Sequence, residues 1–358
     1  MVIQTMWKDR LLLSDLEGKV GTEITERIEG LSRIGCGLLR FAVPDIAAAE
    51  TLGRLAGMVS MPLVADIHFD YKIALRCMDF PIAKIRINPG NIGSEDKVRA
   101  VLEKAGDKSI PIRIGVNAGS LPQDLRKKAS QGAEHTELLV EAAERELEFF
   151  DKFNFSNVLV SMKASGIADT IKANRIFAER SIGIAGTAVP LHIGITEAGP
   201  LVAGIARSSI ALVILLAEGI GDTLRVSLSD TMENEVIAAR EICNAASEIA
   251  LFNGCQQMAS RLRRTGVKIV SCPRCGRHSF DTHGFSNRWL SRLYAMGKEL
   301  TVAIMGCEVN GPEEARHADL GITGAGNRVL IFRQGKIIRT VCAEDADAVF
   351  ADELERIN

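Results

Sequence analysis

The longest uninterrupted apolar run in this chain, Ile210–Ala217, is far too short to cross a bilayer, and residues 1–6 lack the basic start and apolar core of a signal peptide. Membrane insertion and export are therefore not expected, and the chain reads as cytoplasmic. Charge of one sign is missing too: 43 Lys and Arg stand against 45 Asp and Glu, a net charge of -2. That balance gives no argument for nucleic acid or an anionic membrane as partner, and a small molecule fits better. Aromatic residues are scarce at 5%, yet 47% of the 358 residues are hydrophobic, enough for the aliphatic core of an α/β protein with a barrel-sized domain and a smaller one. In a reducing compartment the 8 cysteines do not read as a disulfide framework. Cys36, Cys77, Cys243, Cys255 and Cys342 lie in apolar or helical contexts and are expected to be buried thiols.

The other three cysteines are the most informative residues present. Cys272-Pro273-Arg274-Cys275-Gly276 is followed by Cys307, a spacing that suits three corners of an iron–sulfur cluster. No fourth cysteine closes the set. Glu314 follows Cys307 by two helical turns, so a helix there would bring both onto one face. The same Cys-Pro-x-Cys-Gly turn serves structural zinc, with His278 or His283 completing a tetrahedron, and these residues alone leave zinc and iron–sulfur open.

Short β-rich runs alternate with helical spacing along the first 230 or so residues. Eight strands are predicted at Val2–Met6, Leu38–Val43, Leu63–Ile67, Lys84–Asn88, Pro111–Asn117, Val158–Lys163, Leu191–Thr196 and Thr223–Leu228. The alternation predicts a TIM (β/α)8 barrel over residues 1–262, followed by a small mixed α/β domain over 267–358 that carries the cysteines. A doubly wound open sheet would show a Gly-rich phosphate turn after its first strand, and none follows Met6.

Catalytic groups of such a barrel stand at the C-terminal ends of its strands. The polar residues there are Arg40, Asp66 with His68, Arg86 with Asn88, Arg113 with Asn117, Lys163, Glu197, and Arg225 with Ser227. Four arginines and a lysine at equivalent stations need a polyanionic ligand to offset their repulsion, and guanidinium forks suit the oxygens of a diphosphate. The glycine-bearing loops Asn88-Pro89-Gly90-Asn91, Asn117-Ala118-Gly119-Ser120 and Thr196-Glu197-Ala198-Gly199 follow strands, where backbone amides can approach an anion. Gly219-Ile220-Gly221-Asp222 falls on the opposite face and reads as a helix C-cap and turn.

These loops, the segment Arg113-Ile114-Gly115-Val116-Asn117, the cysteine turn and Met305-Gly306-Cys307-Glu308-Val309-Asn310-Gly311-Pro312 occur in an order that resembles the 4-hydroxy-3-methylbut-2-enyl diphosphate synthase family of isoprenoid precursor biosynthesis. The resemblance spans nearly the whole chain. It implies a [4Fe-4S] enzyme that reductively opens 2-C-methyl-D-erythritol 2,4-cyclodiphosphate, with flavodoxin or ferredoxin as electron donor and a homodimer whose active sites are shared between subunits. By the same resemblance Cys272, Cys275, Cys307 and Glu314 hold the cluster, with Glu314 a displaceable ligand. Arg40, Arg86, Asn88, Arg113, Asn117, Lys163, Arg225 and Ser227 would bind the cyclic diphosphate, and Glu197 would assist proton delivery.

Trp7-Lys8-Asp9 stands where small hydroxyl or amide residues are typical of the family, Gly166 where an aspartate is common, and Glu313 where a glycine precedes the ligating glutamate. Trp7 either narrows the substrate pocket or packs against a neighbouring loop. Two other readings accommodate these departures: a diverged paralogue acting on another phosphorylated polyol, and a zinc-stabilised phosphate-binding barrel without redox chemistry.

Overall fold

The computed structural model of the protein describes residues 1–117, 121–273, 275–308 and 311–357. Ala118-Gly119-Ser120 of the second glycine loop, Arg274 of the cysteine turn and Val309-Asn310 lie outside the described residues. The chain divides into two compact units, Met1–Arg264 and Thr265–Asn358.

In the first unit, strands β1 (Val2–Met6), β2 (Leu38–Ala42), β3 (Leu63–Asp66), β4 (Lys84–Ile87), β5 (Ile112–Asn117), β6 (Val158–Lys163), β7 (His192–Ile193) and β8 (Thr223–Leu224) pair in parallel, in the order β6-β5-β4-β3-β2-β1-β8-β7. A parallel bridge between Val160 and Leu191 joins the two edges, so the sheet closes as the predicted barrel. Helices between the strands cover its outside. The helix Ile46–Ala56 shows why they form: the Asp45 carboxylate caps it by accepting from the Ala48 N–H at 2.8 Å, and Ala49, Leu52 and Leu55 make a buried stripe.

Strands β7 and β8 are shorter than the sequence predicts. A Cβ at Gly194 would lie 2.5 Å from the Arg225 carbonyl oxygen and 3.1 Å from Lys163 Nζ, so here backbone and a charged side chain crowd together. One ladder bond, from the Arg225 N–H to the Ile193 carbonyl at 3.1 Å, continues past the paired residues. The predicted turn at Gly219-Ile220-Gly221-Asp222 has both glycines at positive φ, 85° and 116°, and the Asp222 carboxylate accepts from the Leu191 N–H at 2.9 Å.

The second unit is a mixed sheet of β9 (Val267–Ser271), β10 (Leu300–Met305), β11 (Leu320–Ala325), β12 (Arg328–Arg333) and β13 (Lys336–Cys342), ordered β13-β12-β11-β10-β9. The first three run parallel and the last two are antiparallel. A hairpin turn joins the last two strands at Gln334 and Gly335, whose φ values of 48° and 78° match a primed two-residue turn. Strand β11 is interrupted by two glycines. Gly321 and Gly324 hide its pattern, and they are required: a Cβ on Gly321 would lie 2.0 Å from the Phe332 ring and one on Gly324 2.6 Å from Ser279 Oγ. Helices Thr282–Tyr294 and Ala346–Glu355 bury Phe285, Trp289 and Phe350 against one sheet face, with ring centroids 4.9–5.7 Å apart.

Two of the five cysteines expected to be buried are exposed. Cys255 follows the positive-φ Gly254 in the turn between two helices, and Cys342 ends the edge strand β13. Cys36, Cys77 and Cys243 are buried, and burial raises the Cys36 and Cys77 thiols to about 11 and about 12. Among the described residues, no helix is long and apolar enough to cross a membrane.

Candidate active site

Parallel register carries the polar residues of β2 to β6 to one end of the barrel: Asp66 pairs with Arg86, Arg86 with Arg113, and Asn117 with Lys163. Arg40, Arg86, Arg113 and Lys163 are all buried, and Arg225 just beyond β8 is half-buried. The Asp66 carboxylate takes Arg86 Nη1 at 3.0 Å and Arg40 Nε at 3.4 Å. Across the barrel, the Glu235 carboxylate on the helix Met232–Phe252 takes Arg225 Nη2 at 3.4 Å and Lys8 Nζ at 3.2 Å. Met6 Sδ accepts from Arg40 Nη2 at 2.9 Å and Arg225 Nη1 at 3.8 Å.

Arg113 is differently placed: it is 2% exposed, and among the described residues its Nε and Nη1 have no hydrogen-bond partner. Burial and then repulsion from Arg40 and Arg86 drive the Arg113 guanidinium well below its ordinary value, and burial, Arg113, Arg40 and Arg225 do the same to Lys163. Burial also lowers Arg40, to about 10, despite Asp66. Burial opposes the charge of Asp66, but the His68 hydrogen bond and the Arg40 and Arg86 guanidiniums outweigh it, so Asp66 stays ionised. Unpaired buried guanidinium nitrogens and a cation excess leave uncompensated positive charge at this end of the barrel, the electrostatic condition under which an anion is bound. Two glycines make room for the cations themselves. A Cβ on Gly115 would sit 2.5 Å from Arg86 Nε, as one on Gly194 would crowd Lys163.

Other predicted residues stand around this ring. Asn88 is half-buried before the short helix Pro89–Ile92, Asn117 ends β5, and Ser227 is half-buried two residues beyond Arg225. Glu197 is exposed after β7 at φ 53°, a left-handed conformation that costs a non-glycine residue about 1 kcal/mol. Trp7 does not enter the ring. It is 6% exposed, stacks on Phe41 at 5.7 Å, and lines a cavity of about 240 Å³ with Thr51, Leu52 and Leu55 of the helix Ile46–Ala56. Gly166 precedes the helix Ile167–Ala185, and a Cβ there would lie 2.5 Å from Asp169 Oδ2, so the family's aspartate does not fit without moving Asp169.

Sequence reasoning missed several members. Glu235 is one. Another is a lower polar layer of Lys84, His192 and Gln4, all buried. Burial, then Arg113, lowers Lys84 to about 8, and burial with Lys163 and Arg113 keeps His192 neutral. The signal for Lys84 was present, since it stands two residues before Arg86 on the same face of β4.

Glu146, on the helix His135–Lys152, accepts from the Gly90 N–H in the loop after β4, and burial raises its carboxyl to about 7. A carboxyl raised above its unfolded value binds more protons folded than unfolded, so its contribution to stability falls as pH rises from about 4.3 to 7. Glu146→Gln is expected to keep the Gly90 contact and raise stability at pH 8 by about 2 kcal/mol, with no gain at pH 4. Denaturant melts at the two pH values check this.

In the second unit, parallel β9 and β10 deliver the cysteines side by side, with Ser271 opposite Ile304. Cys272 Sγ accepts from the Gly306 N–H at 3.1 Å, and a Cβ on Gly306 would lie 3.4 Å from that sulfur. Cys307 is buried, whereas Cys275 is exposed, and the Arg277 backbone N–H, aided by its guanidinium, holds the Cys275 thiol below its ordinary value. Helix is present at Gly311–Glu314, and the Gly311 N–H is bonded to the Cys307 carbonyl at 3.1 Å; Val309 and Asn310, between them, lie outside the described residues, so the two-turn helix expected from Cys307 is described only in its last turn. Glu313 and Glu314 are both exposed beside Arg316 and Lys336. His278 Nδ1 meets the Cys275 carbonyl at 2.7 Å, and His283 Nε2 meets Asn287 at 3.1 Å. Among the described residues, no three of His, Cys, Asp or Glu are gathered closely enough to hold a metal ion.

Residues 1–240 match the GcpE TIM-barrel domain and residues 268–356 the GcpE protein C-terminal domain. The chain belongs to the GcpE family. Relatives from Treponema pallidum (strain Nichols) and Treponema denticola are 46% and 45% identical, covering 99% and 100% of this chain and 86% and 93% of theirs. One from Thermodesulfovibrio yellowstonii is 43% identical over 92% of this chain and 88% of its own. All three are named 4-hydroxy-3-methylbut-2-en-1-yl diphosphate synthase (flavodoxin). The family expected from the loop and cysteine motifs is therefore the right one.

Proposed function

We propose that this chain reduces 2-C-methyl-D-erythritol 2,4-cyclodiphosphate with two electrons and two protons to 4-hydroxy-3-methylbut-2-enyl diphosphate and water. The observation that carries the reading is the ring of Arg40, Arg86, Arg113, Lys163 and Arg225, faced among the described residues by only Asp66 and Glu235. A diphosphate supplies the negative charge that this ring lacks, and its oxygens match the unpartnered Nε and Nη1 of Arg113. Binding it raises the proton affinity of Lys163 and so tightens as pH falls through the lysine's depressed range. Glu197, held at positive φ after β7, is the group we assign to proton delivery.

The donor set of the second unit suits a [4Fe-4S] cluster. Cys272 carries a backbone N–H on its sulfur, Cys275 is shifted toward thiolate, and Gly306 leaves space that a side chain would fill. Cys272, Cys275 and Cys307 would hold it, with Glu314 at the fourth position. Such a cluster supplies single electrons to the carbon–oxygen bond that breaks. The electron donor in this reading is flavodoxin, as in the relatives' names, or ferredoxin, and the working form is a homodimer with shared sites.

Anaerobic protein reconstituted with iron and sulfide, given reduced flavodoxin and the cyclodiphosphate, is expected to release the linear diphosphate. Iron bound in full with no product would sink the substrate assignment, and stoichiometric zinc in place of iron would sink the redox reading altogether.

A further inference from the structure

The Glu235 carboxylate is fully buried and draws donors from both sides of the β1–β8 seam. Thr5 Oγ1 of β1 donates to Oε2 at 2.5 Å, while the Leu228 N–H donates to Oε1 at 3.0 Å. The same Oε1 faces Arg225 Nη2 at 3.4 Å and Lys8 Nζ at 3.2 Å. Lys8 does more than share that oxygen. Its ammonium donates to the Leu228 carbonyl at 3.0 Å and to the Asp230 carbonyl, so it grips the segment that leads from Arg225 into the helix Met232–Phe252.

Two cations thus compete for one buried carboxylate. Among the described residues, Arg225 touches Glu235 through a single nitrogen, its Nε has no partner, and its Nη1 reaches the Met6 sulfur alone. Without Lys8, Arg225 would be the one cation among the described residues within ion-pair distance of Glu235, and its guanidinium fork would turn onto the carboxylate as a bidentate pair. An arginine committed that way has little left for a ligand anion.

We propose that Lys8 is a positioning residue that sets affinity for the anionic substrate: by occupying Glu235 and holding the Leu228–Asp230 backbone, it keeps Arg225 free to face the barrel. The assignment rests on the diphosphate reading of the ring. It gives a role to a position where the Trp7-Lys8-Asp9 segment departs from the small residues typical of the family, and that role falls to Lys8 because Trp7 packs away from the ring.

The test uses the full reconstituted chain with Lys8→Met, Lys8→Arg, Glu235→Gln and the Lys8→Met, Glu235→Gln pair. Lys8→Met is expected to raise KM for the cyclodiphosphate about tenfold while kcat stays within about twofold, and Lys8→Arg to recover most of the loss. Calorimetric titration with inorganic pyrophosphate should show the same loss of affinity without turnover. In the Glu235→Gln background, Lys8→Met should lose most of its effect on both quantities, since the competition is gone and only the grip on the Leu228–Asp230 backbone remains. A lower melting temperature with KM and pyrophosphate affinity unchanged would reduce Lys8 to a structural clasp and overturn the proposal. So would a Lys8→Met effect of equal size in both backgrounds. If the parent chain never turns over the cyclodiphosphate but Lys8→Met still weakens pyrophosphate binding, the substrate reading fails and the role of Lys8 stands.

Discussion

Arg113→Met should give a protein that melts higher than its parent and no longer binds diphosphate. Arg113 is buried with two guanidinium nitrogens unpartnered among the described residues, and the carboxylate that favours its charge, Asp66, is already engaged by Arg40 and Arg86. Replacing a buried, poorly compensated cation by an apolar side chain of similar length is expected to stabilise the empty barrel by about 2 kcal/mol. For a unit of this size that is about 5 °C in melting temperature. Affinity for pyrophosphate or the cyclodiphosphate should fall about a thousandfold, because the anion loses a charge-assisted fork in a desolvated site. The two effects share one cause: the ring is stressed because it is built for a ligand that is not part of the chain. Ligand addition separates this from a generic stabilisation. Millimolar pyrophosphate should raise the melting temperature of the parent and leave that of Arg113→Met unmoved. A variant that melts lower and still binds would make Arg113 a structural residue.

Which parts of this site could be seen beforehand follows from how each residue is placed. Strand-end cations were legible because a parallel barrel repeats its geometry, so Arg40, Arg86, Arg113 and Lys163 fall at equivalent stations of separate strands. Glu235 was not, because it sits on a helix within the apolar-and-polar alternation of any amphipathic segment, and only the closed barrel brings it to Thr5 and Lys8. Asp66 was seen as one polar residue of the set, but its work as the shared counter-ion of Arg40 and Arg86 depends on register. Strand β11 escaped because glycines at 321 and 324 weaken a strand pattern while letting Phe332 and Ser279 approach, and the shortening of β7 and β8 escaped because the approach of the Arg225 carbonyl to Gly194 depends on the folded barrel. Trp7 illustrates the opposite error of attention. A large residue drew notice at the barrel mouth, and the smaller change beside it, Lys8, makes the contacts.

Replacing Cys272, Cys275 or Cys307 by serine should each remove bound iron and lower activity by more than about a hundredfold, beyond what loss of an outer-shell partner costs. Cys255→Ser and Cys342→Ser are the matched controls, since both thiols are exposed and lie outside the turn, and they should retain iron and activity. The three proposed ligand positions are not expected to fail alike in the metal-free protein. Cys307 is buried in the small unit and Cys272 packs with Met305 and Phe332, so serine there leaves a hydroxyl among apolar groups and should lower metal-free stability by about 1 kcal/mol. Cys275 is exposed, and its serine variant should melt like the parent until iron is supplied. Equal iron content in Cys275→Ser and parent would remove that residue from the ligand set. The adjacent carboxylates are separated the same way. Glu313 and Glu314 are equally exposed, so burial does not choose between them, and only the ligating one should change the electron paramagnetic resonance of the reduced protein when made glutamine. Glu314→Gln is expected to do so and Glu313→Gln is not; the reverse result would shift the fourth position by one residue and, with it, the face of the short helix Gly311–Glu314 that meets the cluster.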